Sequence, residues 1–274
     1  MVSTATSFAD MDPSPRVLLD LDPAEIGTAD TVTVWQISKW GQVPVRNAVR
    51  RSVSGGLVVT DYEIPPGVPV TYRVERFDAG GVSLGYVLNL AAQVDLPGGF
   101  VVVQDPLAPA NAVLVRAERR FADALTRSRA SAVYQAGGRT FAMSGPYSAF
   151  QQLSLRCVTQ SDADRETLAE ILSEAMILVR SMPTTRLPGA FYATVASVPM
   201  IPHDARRGGD TDVWDIAGDQ LSRPELDIIV AVYSYDRFKA YLDTLHPPTP
   251  GTYNDAAAIW STYLDAMRNP PPEA

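Results

Sequence analysis

The residues suited to chemistry are few and scattered. There are two histidines, His203 and His246, and one cysteine, Cys157. His203 stands close in sequence to Asp210, Asp212 and Asp215. A histidine among carboxylates can ligate a divalent cation, and so many oxygens would suit calcium rather than zinc. His203, Asp210, Asp212 and Asp215 are therefore the metal candidates. Arg206-Arg207-Gly208-Gly209 interrupts them, and no second histidine or cysteine is near. A polar loop is the preferred reading, and no metal or cofactor is expected. His246 follows a helical stretch and precedes two prolines, as a helix-end histidine does.

Asp61 and Glu63 could act as a general acid and base. On a strand they share one face, yet they lead straight into Pro65-Pro66-Gly67. A rim or interface position is preferred. Ser144 lies outside any Gly-x-Ser-x-Gly elbow. The Gly-Gly pairs at 55, 80, 98, 137 and 208 are single turns, and no Walker, dinucleotide or His-Glu-x-x-His motif occurs. Cys157 shares a strand face with Leu153 and Leu155, which makes it a core residue rather than a nucleophile. No catalytic residue is assigned, and no enzyme activity is expected.

Composition narrows the classes further. The 274 residues are 46% hydrophobic and 20% charged, as in an ordinary globular protein, and their number suits two domains. A net charge of −8 argues against holding nucleic acid, which needs a basic footprint. Arg116, Arg119, Arg120, Arg127 and Arg129 are interleaved with Glu118 and Asp123, as on a solvated face. No apolar run is long enough to span a bilayer. Residues 1–15 carry no secretory signal and read as a flexible polar arm.

The elements that must position these residues are mostly strands. Residues 16–96 show short β-rich runs every 8–12 residues, broken by Gly and Pro, which is a sandwich pattern. Pro97-Gly98-Gly99 marks a boundary. In the second domain, 97–236, residues 130–134 and 140–143 flank Gln135–Arg139 as a hairpin. Ser161 begins a capping pattern, and Leu168, Ile171, Leu172, Ala175, Leu178, Val179 and Met182 follow at helical spacing. A helix over 161–182 is predicted, with Arg180 on its polar face. Strands are expected at 149–159, 190–198 and 226–235, and two short helices within a C-terminal extension, 237–274. The fold class is thus mostly β with an α+β second domain.

Asp61-Tyr-Glu-Ile-Pro-Pro-Gly67, Val70-Thr-Tyr-Arg-Val74 and Asp78-Ala-Gly-Gly81 resemble the immunoglobulin- or fibronectin-III-like opening domain of siphophage minor tail proteins. Asp105-Pro-Leu-Ala-Pro109 is similar to the junction in those proteins. The hairpin at Gly137-Gly-Arg139, the capped helix and the later strands resemble a tail-tube-type domain, a β-sandwich or split barrel with one packed helix. The Tyr/Trp-x-x-Tyr-x-Asp ending, Trp260–Asp265, is also similar. The resemblance implies a distal-tail-like structural protein of the virion tail tip. It would form a ring, hexameric by expectation, and contact itself, the tail tube protein, and hub and tape-measure proteins. DNA would pass through the ring without specific binding. Many distal tail proteins place the ring-forming domain first, whereas here the sandwich leads. A second reading is a carbohydrate-binding module for host attachment, with Trp35, Trp40, Tyr62, Trp214 and Tyr147 as sugar platforms. Packing is the simpler use of each.

Overall fold

The computed structural model describes residues 2–122, 125–128, 131–136, 139–144, 149–202 and 211–224. Among them no helix is long and apolar enough to cross a membrane. The strands fall into two groups that share no ladder, with the chain passing once between them at residues 93–99.

The first group comprises β1 (Thr4–Phe8), β2 (Arg16–Leu21), β3 (Thr31–Ser38), β4 (Gly41–Pro44), β5 (Arg51–Ser52), β6 (Leu57–Asp61), β7 (Val70–Phe77) and β8 (Ser83–Ala92). One sheet runs β1-β2-β6; the other runs β4-β3-β7-β8, with β5 against β3. A short helix, α1 (Pro23–Ile26), is capped by the Asp22 side chain. Alternation builds the core. Val17, Leu19 and Leu21 of β2 turn inward with Val70, Tyr72 and Val74 of β7. All antiparallel, this half fits a β-sandwich.

The N-terminal arm is not loose. Thr4 to Phe8 pair with Asp20 to Arg16, filling an edge that β2 would otherwise present to solvent. Ser3 pins the strand, its Oγ accepting from the Asp22 N–H at 2.9 Å.

The second group comprises β9 (Phe100–Gln104), β10 (Ala112–Ala122), β11 (Ser131–Ala136), β12 (Arg139–Ser144), β13 (Leu153–Thr159), α2 (Asp162–Ile171), β14 (Met176–Ser181), β15 (Ala190–Thr194), β16 (Met200–Pro202), β17 (Asp212–Gly218) and β18 (Gln220–Leu221). The expected hairpin is β11–β12, in register from Ser131↔Ser144 to Ala136↔Arg139. The rest form one antiparallel sheet, β16-β17-β13-β10-β9-β14-β15-β18. It is an open sheet with two ends rather than a split barrel. It curls enough for its flanks to touch, the Thr194 N–H donating to the Asp219 carbonyl and the Ala196 N–H to that of Ala217. One face carries Val101, Val103, Val113, Val115, Leu155, Cys157 and Val179 and closes beneath Leu168 and Ile171 of α2.

The helix is shorter than its spacing predicts. Ser161 caps it as expected, Oγ accepting from the Asp164 N–H at 3.1 Å. It ends at Ile171, and Met176–Ser181 is a strand in the middle of the sheet. An apolar run covered on both faces has no period of its own, so it fits a helix or a doubly buried strand equally. The β-branched residues and flanking ladders decide for the strand. Arg180, expected on a solvated face, is 1% exposed. The expected strand 226–235, the extension 237–274, His203, Asp210, His246 and Tyr147 lie outside the described residues.

Candidate functional site

Strand alternation sends every second residue of β9, β14 and β15 away from the α2 core. Gln104 and Leu178 are cross-strand partners, as are Arg180 and Val102, and Leu178 and Tyr192. Gln104, Arg180 and Tyr192 therefore share one face, and all three are buried. They are buried against the first group, where β6 runs out into Tyr62–Gly67. Asp61 and Glu63 meet Arg46, Tyr192 and Arg223 in this seam.

Glu63 is its centre. Its Oε1 accepts from Arg46 Nε and from the Tyr192 hydroxyl. Its Oε2 accepts from Arg223 Nε at 2.7 Å and lies 2.6 Å from Arg223 Nη2. Arg46 Nη2 donates to the Tyr192 oxygen at 3.0 Å, and Arg223 Nη1 donates to the Pro44 carbonyl at 2.6 Å. Arg46 and Glu63 come from the first strand group, Tyr192 and Arg223 from the second. Burial pushes the Tyr192 hydroxyl pKa well up, and the Glu63 charge adds to it. Burial works to lower the Arg223 pKa, but Glu63 and Tyr192, by charge and hydrogen bond together, raise it above the ordinary value.

Beside this cluster sits Asp61. It accepts from Gln36 Nε2, from the Tyr72 hydroxyl at 2.7 Å and from the Glu63 N–H at 2.8 Å. Burial raises its pKa despite those three donors, and the Glu63 charge raises it further. Arg180 donates to the Pro15 carbonyl, while its Nε and Nη2 make no hydrogen bond. Burial brings Arg180 down to about 10, against the pull of Asp61 and Glu63.

The Asp61 shift has a sign that can be measured. A carboxyl with a raised native pKa binds more protons folded than unfolded, so its contribution to stability falls as pH rises. The fall begins near the ordinary value of 3.8 and ends above the native one. Asp61→Asn removes this dependence. Urea titrations from pH 4 upward are expected to show stability falling more steeply in the wild type than in the variant.

Asp61 and Glu63 are thus buried in a seam within the chain rather than exposed at a rim, and the Glu63 N–H donates to Asp61. Of the metal candidates only Asp212 and Asp215 are among the described residues. Asp212 and Asp215 are three apart on β17 and so point to opposite faces. Asp212 is buried, with Arg165 Nη1 at 3.9 Å, whereas Asp215 accepts from Ser154 Oγ at 2.6 Å. One ion cannot reach both. Among the described residues no group of three potential ligands forms.

The proposed sugar platforms are mostly spoken for. Tyr62 and Trp214 are buried, and Trp214 Nε1 donates to Thr159 Oγ1. Trp35 Nε1 donates to Glu75 Oε2 at 2.9 Å. Trp40 is 39% exposed, with the Lys39 ammonium 4.4 Å above its ring. Its edge lies where a Gly189 side chain would be, so only glycine fits there.

Cys157 is fully buried, and burial pushes its thiol up to about 12. A thiol reagent needs the exposed thiolate. Labelling by an aromatic disulfide at pH 8 is expected to be negligible in the folded protein and complete in urea.

A cleft of about 370 Å³ opens along the seam. One wall is Ser38, Trp40, Gly41 and Val43; the other is Tyr192, Leu221 and Ser222, with Glu63 and Arg223 between them. Arg46, Arg180, Tyr192 and Arg223 escaped sequence reasoning because they converge from distant positions. One signal was available: Arg180 is a lone charge in Met-Ile-Leu-Val-Arg-Ser, and such a charge is buried only with partners.

No protein-family model matches the chain, and neither a curated protein nor a solved structure does.

Proposed function

We propose that this chain is a structural subunit of a phage tail tip, forming a ring that joins the tail tube to the tip complex. The observation that carries the reading is the seam. The residues best equipped for catalysis, Asp61 and Glu63, have their oxygens taken up by Gln36, Tyr72, Arg46, Tyr192 and Arg223. Glu63 ties the two β modules through Tyr192 and Arg223, while Asp61 is held within the first by Gln36 and Tyr72. A fixed angle between modules suits a subunit that must meet identical neighbours on two different surfaces.

The N-terminal module would be of the immunoglobulin or fibronectin-III type, and the C-terminal one of the tail-tube type. The β11–β12 hairpin supports assembly. It pairs with no other strand among the described residues, and an isolated two-stranded ribbon is marginal in water. The partners are other copies of the chain, the tail tube protein, and hub and tape-measure proteins, in the virion.

Mass photometry of the purified protein over a range of concentrations tests this reading. Rings, hexamers by expectation, support it; a monomer at every concentration overturns it. The carbohydrate-binding alternative retains Trp40 as its one large exposed ring in the cleft.

A further inference from the structure

Beyond the Glu63 cluster the seam has a second polar corner. Arg180 and Gln104 share one face of paired strands, two positions apart along the ladder, since Arg180 faces Val102 and Gln104 faces Leu178. The first strand group lies against them. The Pro15 carbonyl accepts from Arg180 Nη1, and the Tyr62 carbonyl accepts from Gln104 Nε2 at 3.5 Å. Val17 pairs with Asp61, so the stretch that begins at Ser14 runs beside Tyr62. Ser14, Gln104 and Arg180 are 0%, 0% and 1% exposed.

These three residues leave polar atoms unpaired: Arg180 Nε and Nη2, Gln104 Oε1 and Ser14 Oγ. Nε and Nη2 form the side edge of the guanidinium, where two N–H groups point the same way and suit a shared acceptor. Gln104 Oε1 accepts only, and a serine hydroxyl accepts or donates. Buried groups of this kind are costly to leave unmatched, and native proteins rarely do so. Arg180 does not turn its side edge to Asp61, whose oxygens are held by Gln36, Tyr72 and the Glu63 N–H. Charge is not what the corner lacks, because Asp61 and Glu63 both act on Arg180 as negative neighbours. It lacks hydrogen-bond partners, acceptors for Arg180 and a donor for Gln104. Water is both, whereas a halide only accepts and would sit beside two carboxylates.

We propose that this corner binds ordered water, which joins the two strand groups by accepting from the side edge of Arg180 and donating to Gln104 Oε1 and Ser14 Oγ. The seam then has an ionic half at Glu63 and a water-bridged half at Arg180. Ser14 lies between β1 and β2, so the bridge also fixes where the N-terminal strand leaves the first sheet. The site is complete in one chain, and the inference does not rest on the ring.

The test is a high-resolution crystal structure of the full chain grown from sodium bromide, with anomalous data at the bromine edge. A density peak is expected within hydrogen-bonding distance of Arg180 Nε or Nη2 and of Gln104 Oε1 or Ser14 Oγ, without anomalous signal. An anomalous peak marks a halide and overturns the proposal. So does an Arg180 side edge bonded directly to a protein oxygen, or a corner without density. In solution, with nitrogen-15-labelled arginine, the Arg180 Nε–H should show a rotating-frame cross-peak to long-lived water. That cross-peak should disappear in Gln104→Leu, which removes an acceptor and fills its space, and weaken in Ser14→Ala, which removes only a hydroxyl. Its absence from the wild type, or undiminished strength in both variants, overturns the proposal.

Discussion

Glu63→Gln is expected to destabilise the protein by about 3–5 kcal/mol, the usual result of removing one partner from a buried ion pair. The Arg46 and Glu63 side chains are only 6% and 8% exposed. Glutamine keeps the volume but loses the charge, and its amide turns a donor toward Arg46 and Tyr192 or toward Arg223. Arg46, itself buried, then loses the Glu63 charge it is paired with. Arg223 is partly exposed and can turn to water, so Arg223→Gln should lose much less. Urea unfolding followed by tryptophan fluorescence measures both. Because Glu63 ties the two strand groups, its loss should also split one cooperative transition into two. A Glu63→Gln protein as stable as the wild type would remove the seam as the link between modules. In a double-mutant cycle, Glu63→Gln and Arg46→Gln should be far from additive, since both break the same pair.

Gly218→Ala is the second large effect, about 3 kcal/mol, at the upper end of overpacking penalties. A methyl group at residue 218 would fall on the Thr194 carbonyl, a backbone atom that cannot swing aside. The two flanks of the curled sheet meet there, so relief requires parting Thr194 from Asp219. Gly55→Ala is the control, since a methyl there meets nothing within 4 Å. Its melting temperature should match the wild type, while that of Gly218→Ala falls by several degrees. Equal melting temperatures for the two variants would show that the flanks are not in contact in solution.

Much of the fold follows from local chemistry. In residues 16–92 the strands stand where β-branched and aromatic runs alternate between Gly and Pro turns. Val17, Leu19 and Leu21 face inward because a strand exposes alternate sides. Ser161 starts α2 because its hydroxyl satisfies a backbone N–H that the helix cannot. Cys157 is in the core because it shares a face with Leu153 and Leu155. These features depend on neighbours a few residues away, and such neighbours are visible in a sequence.

Long-range pairing decided the rest. Met176–Ser181 became a strand because β9 and β15 offered ladders on both sides and both of its faces were to be buried. Thr4–Phe8 became ordered because β2 had a free edge. Asp212 and Asp215 parted because β17 is a strand, on which an odd spacing divides faces. By itself the sequence determined that the chain is mostly β, that it has a turn-rich front half, and that its titratable residues are sparse. Only the tertiary structure decided that Glu63 would meet Arg46, Tyr192 and Arg223. Those partners are 17, 129 and 160 residues away, and one carboxylate in a sheltered seam draws in whichever donors the fold brings near.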